Sequence, residues 1–285
     1  MSNTHLNVTT SSTDSTWPKV SVITVVRNDR AGLSKTISSV ASQEYPHLEY
    51  VVIDGASTDG SVDVIRNNES VITSWTSEPD NGLYDAMNKG KTAATGDYIL
   101  FLNAGDTFPA KDALRRMLTP RPDPDTIVFG NVVLSHGDLQ WHRPFRKNGV
   151  ADVFDGYLPH HQTILYPRCF FQENDYDMQF RVVADADYTQ RAVSALPSQH
   201  RDVDLVASTL GGFTFTMYRS LKGARSMYRE RVAYNKKHNP SFSIVHAARL
   251  ALLVFTKYLS VRIGGVSLAT RVMYWKLKMG VGSFR

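Results

Sequence analysis

The chain carries its chemistry in short polar stretches set against apolar runs. Tyr98-Ile99-Leu100-Phe101-Leu102 is continuously apolar and breaks off at Asn103-Ala104-Gly105-Asp106. Such a run reads as a strand buried on both faces. In an open α/β sheet, ligands bind beyond the carboxyl ends of the strands. Asp106 is therefore placed to hold a metal or a phosphorylated ligand. Mg²⁺ and Mn²⁺ prefer oxygen ligands, and Mg²⁺ often uses only one or two carboxylates beside substrate phosphates. Glu78-Pro79-Asp80-Asn81-Gly82 is a turn-forming loop with two carboxylates. Asp54-Gly55-Ala56-Ser57-Thr58-Asp59-Gly60 is another acidic turn, in which Asp59 is fully explained as a turn or capping residue. Val182-Val183-Ala184-Asp185-Ala186-Asp187-Tyr188 sets two carboxylates at the start of a helix that continues to about Ala195. His160-His161-Gln162 heads a further apolar run. Read as strand neighbours, the two histidines point to opposite faces and do not share a zinc ion.

These stretches need elements to position them. Val20 to Val26 is a β-branched run and reads as a first buried strand. Leu33, Ile37, Val40 and Ala41 recur at helical spacing. Leu48 to Ile53 predicts a second strand and Val71 to Trp75 a third. Leu83, Ala86, Met87, Gly90 and Ala94 then share one face of a helix that feeds the Tyr98 strand. Ala113 to Leu118 predicts a short helix and Ile127 to Leu134 a further strand. Strands alternating with helices at this spacing predict an α/β fold with a mostly parallel, doubly wound sheet.

The chain has 285 residues, 42% hydrophobic and 21% charged, ordinary values for a globular protein. Cys169 is its one cysteine, so no internal disulfide forms. Met1 to Trp17 is rich in Ser, Thr and Asn and lacks an apolar core, and it reads as a mobile tail rather than a signal peptide. The net charge of +5 hides an asymmetry. From Arg219 to Arg285 there are 14 Lys or Arg against one acid, a net +13, while the rest of the chain carries 18 bases against 26 acids, a net −8. A basic block of this kind faces a polyanion such as nucleic acid, anionic lipid or a phosphorylated substrate. Leu250 to Phe255 is apolar but bracketed by Arg249 and Lys257. The run reads as too short for a spanning helix of about 20 apolar residues. Basic and broadly apolar together describe an interfacial helix, and Met273 to Met279 repeats that chemistry. Three parts are expected: a tail over 1–17, an α/β domain over 18–218 and a basic helical extension over 219–285.

The motif order makes the reading specific. Pro18-Lys19-Val20-Ser21-Val22-Ile23-Thr24 is followed by Asp54 to Gly60, then Asn81-Gly82 with Asn88-Lys89-Gly90, then Thr95-Gly96-Asp97 leading through the Tyr98 run to Asp106. In this order the four resemble glycosyltransferase family 2, inverting enzymes with the GT-A fold, over roughly Lys19 to Arg191. The Asn-Ala-Gly-Asp ending resembles bacterial exopolysaccharide and colanic-acid-type transferases.

The resemblance implies roles for particular residues. Asp54 stands where the family contacts the nucleotide base, and a carboxylate can accept the N–H of a pyrimidine or guanine ring. Thr24, Val26 and Arg27 stand at the nucleotide-contacting end of the first strand, mostly through backbone, with Arg27 also suited to a phosphate. Asp80 and Asn81 fall beside the nucleotide pocket. An arginine often precedes the asparagine at position 88, but here that position is Met87, so its contact does not carry over. Asp106 is the acid retained from the family's metal motif, with Asn103 offering a neutral oxygen, which implies Mg²⁺ or Mn²⁺ with a degenerate ligand set. Asp185 matches the family's general base, with Asp187 in reserve. His161 and Gln162 match an element lining the acceptor side.

No Gly-x-Ser-x-Gly elbow, Gly-x-Gly-x-x-Gly fingerprint or Walker loop is present, which sets aside the usual hydrolase, dehydrogenase and P-loop kinase readings. The family's processive synthases carry Gln-x-x-Arg-Trp and several membrane helices, and this chain has neither signal. The expected protein is a cytoplasmic transferase, peripheral on the cytoplasmic face of the inner membrane. It would move one sugar from a nucleoside diphosphate sugar to a polysaccharide or lipid-linked acceptor. An anionic membrane is the expected partner of the extension, a homo-oligomer the other use of its helices, and nucleic acid is not expected because no such motif accompanies the charge. A catalytically weak or dead nucleotide-sugar-binding relative with a regulatory or scaffolding role is the alternative left by the degenerate metal motif.

Overall fold

A computed structural model describes residues 17–136, 138–143, 160–209 and 217–278. The expected tail lies outside them except for Trp17. Its ring packs edge-on against Tyr45 at 5.8 Å, under the guanidinium of Arg115, so Trp17 belongs to the body.

Strand β1 (Val20–Val26) is buried along its whole length. It pairs in parallel with β2 (Leu48–Asp54) on one side and β4 (Tyr98–Phe101) on the other, and β3 (Ser74–Ser77) adds in parallel beyond β2. The register is flush at one end, with Val26 opposite Asp54 and Asp54 opposite Ser77. Alternate β1 side chains enter opposite layers. Val22 packs with Val52, Leu100 and with Leu33, Ile37 and Val40 of helix α1 (Arg30–Ala41). Ile23 packs with Ile53, Phe101 and with Tyr84 and Met87 of helix α3 (Leu83–Ala93). Each large apolar side chain buried here contributes about 1.5–3 kcal/mol. Helix α2 (Ser61–Arg66) joins β2 to β3.

The parallel pattern stops at β4. After α4 (Ala113–Met117) the chain enters β5 (Ile127–His136) and β6 (Leu139–Arg143), an antiparallel pair. Strand β7 (Ile164–Pro167) lies between β4 and β5, antiparallel to both. After α5 (Arg168–Phe171) and α6 (Ala184–Ala195), β8 (Ser198–Thr209) pairs in parallel with β5 across a bulge. The result is one eight-stranded mixed sheet. The doubly wound expectation thus holds for β1 to β4, where helices make the crossovers that parallel neighbours require.

Several boundaries moved. The third strand lies at Ser74–Ser77 because Val71 and Ile72 belong to a turn, both donating to the Asn68 carbonyl. Leu83 is exposed, and Tyr84 takes the inward place on α3. Met87 is fully buried in the core. The helix expected to carry two carboxylates at its start runs Ala184–Ala195, with Asp185 and Asp187 in its first turn.

The extension holds α7 (Leu221–His238) and α8 (Ile244–Lys278), the latter interrupted at Gly265, where φ is 67°. Helix α7 docks on the body through Glu230, whose carboxylate accepts the N–H groups of Arg181 and Val182 at 2.9 and 2.7 Å. Leu250, Val254 and Val261 of α8 pack with Tyr218, Ala224 and Met227 in a separate small core. The apolar run expected to be short is in fact part of Ile244–Ile263, 20 residues with a mean hydropathy of 1.5 in its most apolar window, enough by length and composition to cross a membrane. The bracketing charges Arg249 and Lys257 do not end the helix; both are exposed on its surface. The side chains of 266–278 and the residues from 279 onward lie outside the described set, and with them the second apolar patch.

Candidate active site

The flush carboxyl ends of β1, β2 and β3 form the first corner. Asp54 closes β2 and is wholly buried. Its Oδ2 accepts from the Ser57 N–H at 2.9 Å and the Ser77 hydroxyl at 2.6 Å. Its Oδ1 is buried with no hydrogen-bond partner among the described residues. A buried, unsatisfied carboxylate oxygen is costly and calls for a donor from elsewhere. Asp80 reaches the same corner. Its side chain is 6% exposed and lies 3.6 Å from the guanidinium of the exposed Arg27. Its Oδ1 accepts from the Gly82 N–H at 2.9 Å, which shapes the turn into α3. A Cβ on Gly55 would overlap the Asp80 carboxylate, so glycine is what lets the two loops meet. Asn81 is exposed, and its N–H donates to Asp85. Val26 is buried, with its carbonyl taken by the Gly55 N–H. The Thr24 side chain faces the core, donating to the Leu102 carbonyl at 2.7 Å and accepting from the Tyr50 hydroxyl at 3.1 Å, so it is not turned to this corner.

The second corner is the turn after β4. Asn103 donates its backbone N–H to Gln162 Oε1 at 3.0 Å, joining the turn to the 3₁₀ segment His161–Thr163. Its side-chain Oδ1 is buried without a partner among the described residues. Asp106 is 9% exposed. Burial pushes its carboxyl up to about 6; bonds from Ser208 and Gln162 work against that, and the negative charge of Asp29 adds to it. Thr36 of α1 holds the turn in shape. Its hydroxyl donates to the Asp106 carbonyl at 2.8 Å and accepts from the Gly105 N–H at 3.0 Å, with Gly105 at φ 93°. Sequence reading missed Thr36 and Ser77. The signal for Thr36 was a hydroxyl on the apolar face between Leu33 and Ile37.

The third corner joins α6 to α3 and the 3₁₀ turn. Asp185 is half-buried in the first turn of α6. Its Oδ1 accepts from the Tyr84 hydroxyl at 3.2 Å and the Ala186 N–H at 2.9 Å. The Tyr84 hydroxyl also lies 3.2 Å from the Val182 carbonyl. Tyr84 is itself fixed by stacking on Tyr176, which stacks on Tyr188 at 4.3 Å. His161 faces the same acid. Burial pushes its imidazole below the usual range, and the Asp185 charge opposes this, so the ring is held neutral near a carboxylate. The His160 and His161 rings stack at 5.8 Å and 17° instead of pointing apart, because the segment is a 3₁₀ turn and not a strand. Among the described residues no three His, Cys, Asp or Glu groups converge on a metal-sized site.

Asp187, two residues on, is different. It is wholly buried, with Oδ2 bonded to Arg191 at 2.9 Å and Oδ1 to Lys237 and His238, both at 2.7 Å. Burial raises its pKa, but bonds from Lys237, His238 and Arg191 outweigh that and hold the carboxyl below the usual range. A carboxylate saturated by cations is a poor proton acceptor. It ties α6 to α7.

A mostly parallel mixed sheet with oxygen-bearing side chains massed at its strand ends is the architecture of GT-A glycosyltransferases, and comparison with known proteins agrees. The Glycosyl transferase family 2 profile matches residues 21–184. The chain belongs to glycosyltransferase family 2. A PGL/p-HBAD biosynthesis glycosyltransferase of Mycobacterium bovis (strain BCG / Pasteur 1173P2) is 32% identical over 212 residues, 70% of this chain and 80% of that one. Among solved structures, the mannosyltransferase PcManGT from Pyrobaculum calidifontis, in complex with GDP-Man and Mn²⁺, aligns with a TM-score of 0.60 at 17% identity, over 95% of this chain and 78% of that one. S. aureus TarS 1-349 in complex with UDP-GlcNAc aligns at 0.59 and 16%, over 88% and 75%. These two likenesses show the fold.

Proposed function

We propose that this glycosyltransferase moves a single sugar from a nucleoside diphosphate sugar to a glycan or lipid-linked glycan acceptor, inverting the anomeric centre in one displacement. The contrast on α6 supports the reading: among the described residues Asp185 is held by Tyr84 with no cation paired to it, while Asp187 beside it is saturated. In the step, the acceptor oxygen attacks the anomeric carbon as its proton passes to Asp185. The bond from that carbon to the diphosphate oxygen breaks, and the nucleoside diphosphate leaves with the electron pair. Tyr84 orients the carboxylate. Neutral His161 beside it raises no competing positive charge and offers a polar edge to the acceptor. Asp54, with one oxygen unsatisfied, would take an N–H of the donor base. Arg27, beside Asp80, suits a phosphate.

The residues fit a hard divalent cation. Asp106 and the orphaned Asn103 amide oxygen are an all-oxygen set of low charge. Mg²⁺ commonly completes such a set with water and substrate phosphates. Asp106 would hold the ion and Asn103 lend it an oxygen, and when bound it supplies charge neutralisation to the diphosphate. The solved neighbours named as complexes with UDP-GlcNAc and with GDP-Man and Mn²⁺ support a donor of this class. The test is thermal stabilisation across UDP-, GDP- and dTDP-sugars with and without Mn²⁺, followed by the anomeric configuration of the product. One stabilising donor and an inverted linkage are expected. A retained linkage contradicts the single displacement.

A further inference from the structure

Helix α8 has two apolar faces, and the body uses one of them. Leu250, Val254 and Val261 are at most 6% exposed and pack on α7. Leu252, Phe255, Leu259 and Ile263 follow one another at steps of three or four residues and form one stripe. Ile244 and Val245 extend that stripe toward the helix start. At 3.6 residues per turn this stripe lies opposite the buried one. All six side chains are at least 42% exposed, and Ile244 reaches 86%. Exposed Arg249 and Arg262 border the stripe on either side. A contiguous apolar strip rimmed by charge marks an interaction surface.

We propose that this stripe lies in the plane of an anionic lipid bilayer and attaches the enzyme to it as a monotopic anchor. The charge chooses the occupant. The segment from Arg219 onward carries a net +13 with one acid, Glu230, which is spent on the Arg181 and Val182 N–H groups. A stripe built for a second copy would bring two such segments together, and like charges would repel; an anionic surface gains from every one of them. The packing chooses the orientation. To span the bilayer, α8 would have to leave α7 and uncover Tyr218, Ala224 and Met227. Lying in the interface keeps that core and buries only the free stripe, with the arginine stems reaching up to the headgroups. The anchor holds for any sugar donor, and its test does not depend on turnover.

Co-sedimentation of the full chain with phosphatidylglycerol-containing and pure phosphatidylcholine vesicles reads the proposal directly. Binding is expected to the anionic vesicles, to weaken in high salt, and to be reversed by alkaline carbonate. The double substitution Leu252→Asp with Phe255→Asp should lower vesicle affinity at least tenfold with an unchanged melting temperature. Arg249→Glu with Arg262→Glu, which leaves the apolar stripe intact, should do the same through charge alone. Equal binding to both vesicles, no binding to either, unchanged affinity in both variants, or protein that resists carbonate overturns the proposal. So does a dimer in solution that the Asp variant splits while vesicle binding is absent.

Discussion

Two buried carboxylates, in two regions of the sheet's rim, meet opposite fates. Asp106, after β4, is nearly inaccessible and is met by Ser208, Gln162 and the like charge of Asp29, with its carboxyl pushed up to about 6. Asp187, at the junction of α6 and α7, is wholly buried but is met by Arg191, Lys237 and His238, and its carboxyl is held down. Burial alone would raise both; the cations decide the difference. A buried acid whose countercharge is built into the chain ties elements together. A buried acid with no countercharge among the described residues is where the proposed ligand would supply one. The same contrast recurs along the strand ends: Asp54 and Asn103 each keep an oxygen with no partner among the described residues, while Glu49 is fully met by Lys19, Ser21 and Thr95.

The comparison can be broken in order of effect. Asp106→Ala should reduce transfer to background and abolish any Mn²⁺-dependent stabilisation by the donor, read by an activity assay beside a melting scan; full activity of the unchanged protein in EDTA would sink the metal assignment. Asp187→Ala should destabilise the fold by about 3 kcal/mol or more, as when one partner of a buried ion network is removed, seen as a shifted denaturation midpoint. Without ligand and in EDTA, Asp106→Asn should have the reverse sign and raise the melting temperature at pH 7, because it removes an uncompensated buried charge. Equal signs for the two would remove the distinction.

Acid should act on the tied group. Burial opposes ionisation of Glu49, but Lys19, Ser21 and Thr95 outweigh it and bring its carboxyl from 4.5 to about 2. Both Glu49 and Asp187 are depressed in the fold, so the stability they lend is present above the ordinary carboxylate range and is lost as pH falls toward the folded values. A denaturation series from pH 7 to 2 should show the loss beginning below about pH 4.5, and Glu49→Gln should flatten it. The smallest effect belongs to Tyr84→Phe. Losing one hydrogen bond to Asp185 of about 1 kcal/mol should lower the transfer rate roughly fivefold, with donor affinity unchanged.

Much of the first half was legible. Parallel strands buried on both faces announce themselves as apolar runs, and β1, β2 and β4 lie where Val20, Leu48 and Tyr98 begin such runs. The second half hides its logic in long-range pairs. Nothing local in Ile164–Pro167 says that the strand runs antiparallel between β4 and β5. Helix α6 begins at Ala184 after Val183, which offers no side-chain cap, so only Asp185 and Asp187 marked its first turn. Asp187 stayed in reserve behind Asp185 because Lys237 and His238, which tie it down, lie about 50 residues away on α7. Tyr84 was invisible for the same reason, since its hydroxyl finds a residue 101 positions later.

The central claim is that Asp185 takes the acceptor proton while its neighbour only holds the helix. Transfer rate and donor affinity measured together for Asp185→Asn and Asp187→Asn test it most directly. The account predicts that Asp185→Asn lowers the rate by about 10² or more, the scale of positioned proton transfer, while binding donor normally and melting as before. It predicts that Asp187→Asn loses stability but, at a temperature where it is folded, keeps its rate within about tenfold. A rate collapse in folded Asp187→Asn with an active Asp185→Asn would contradict it.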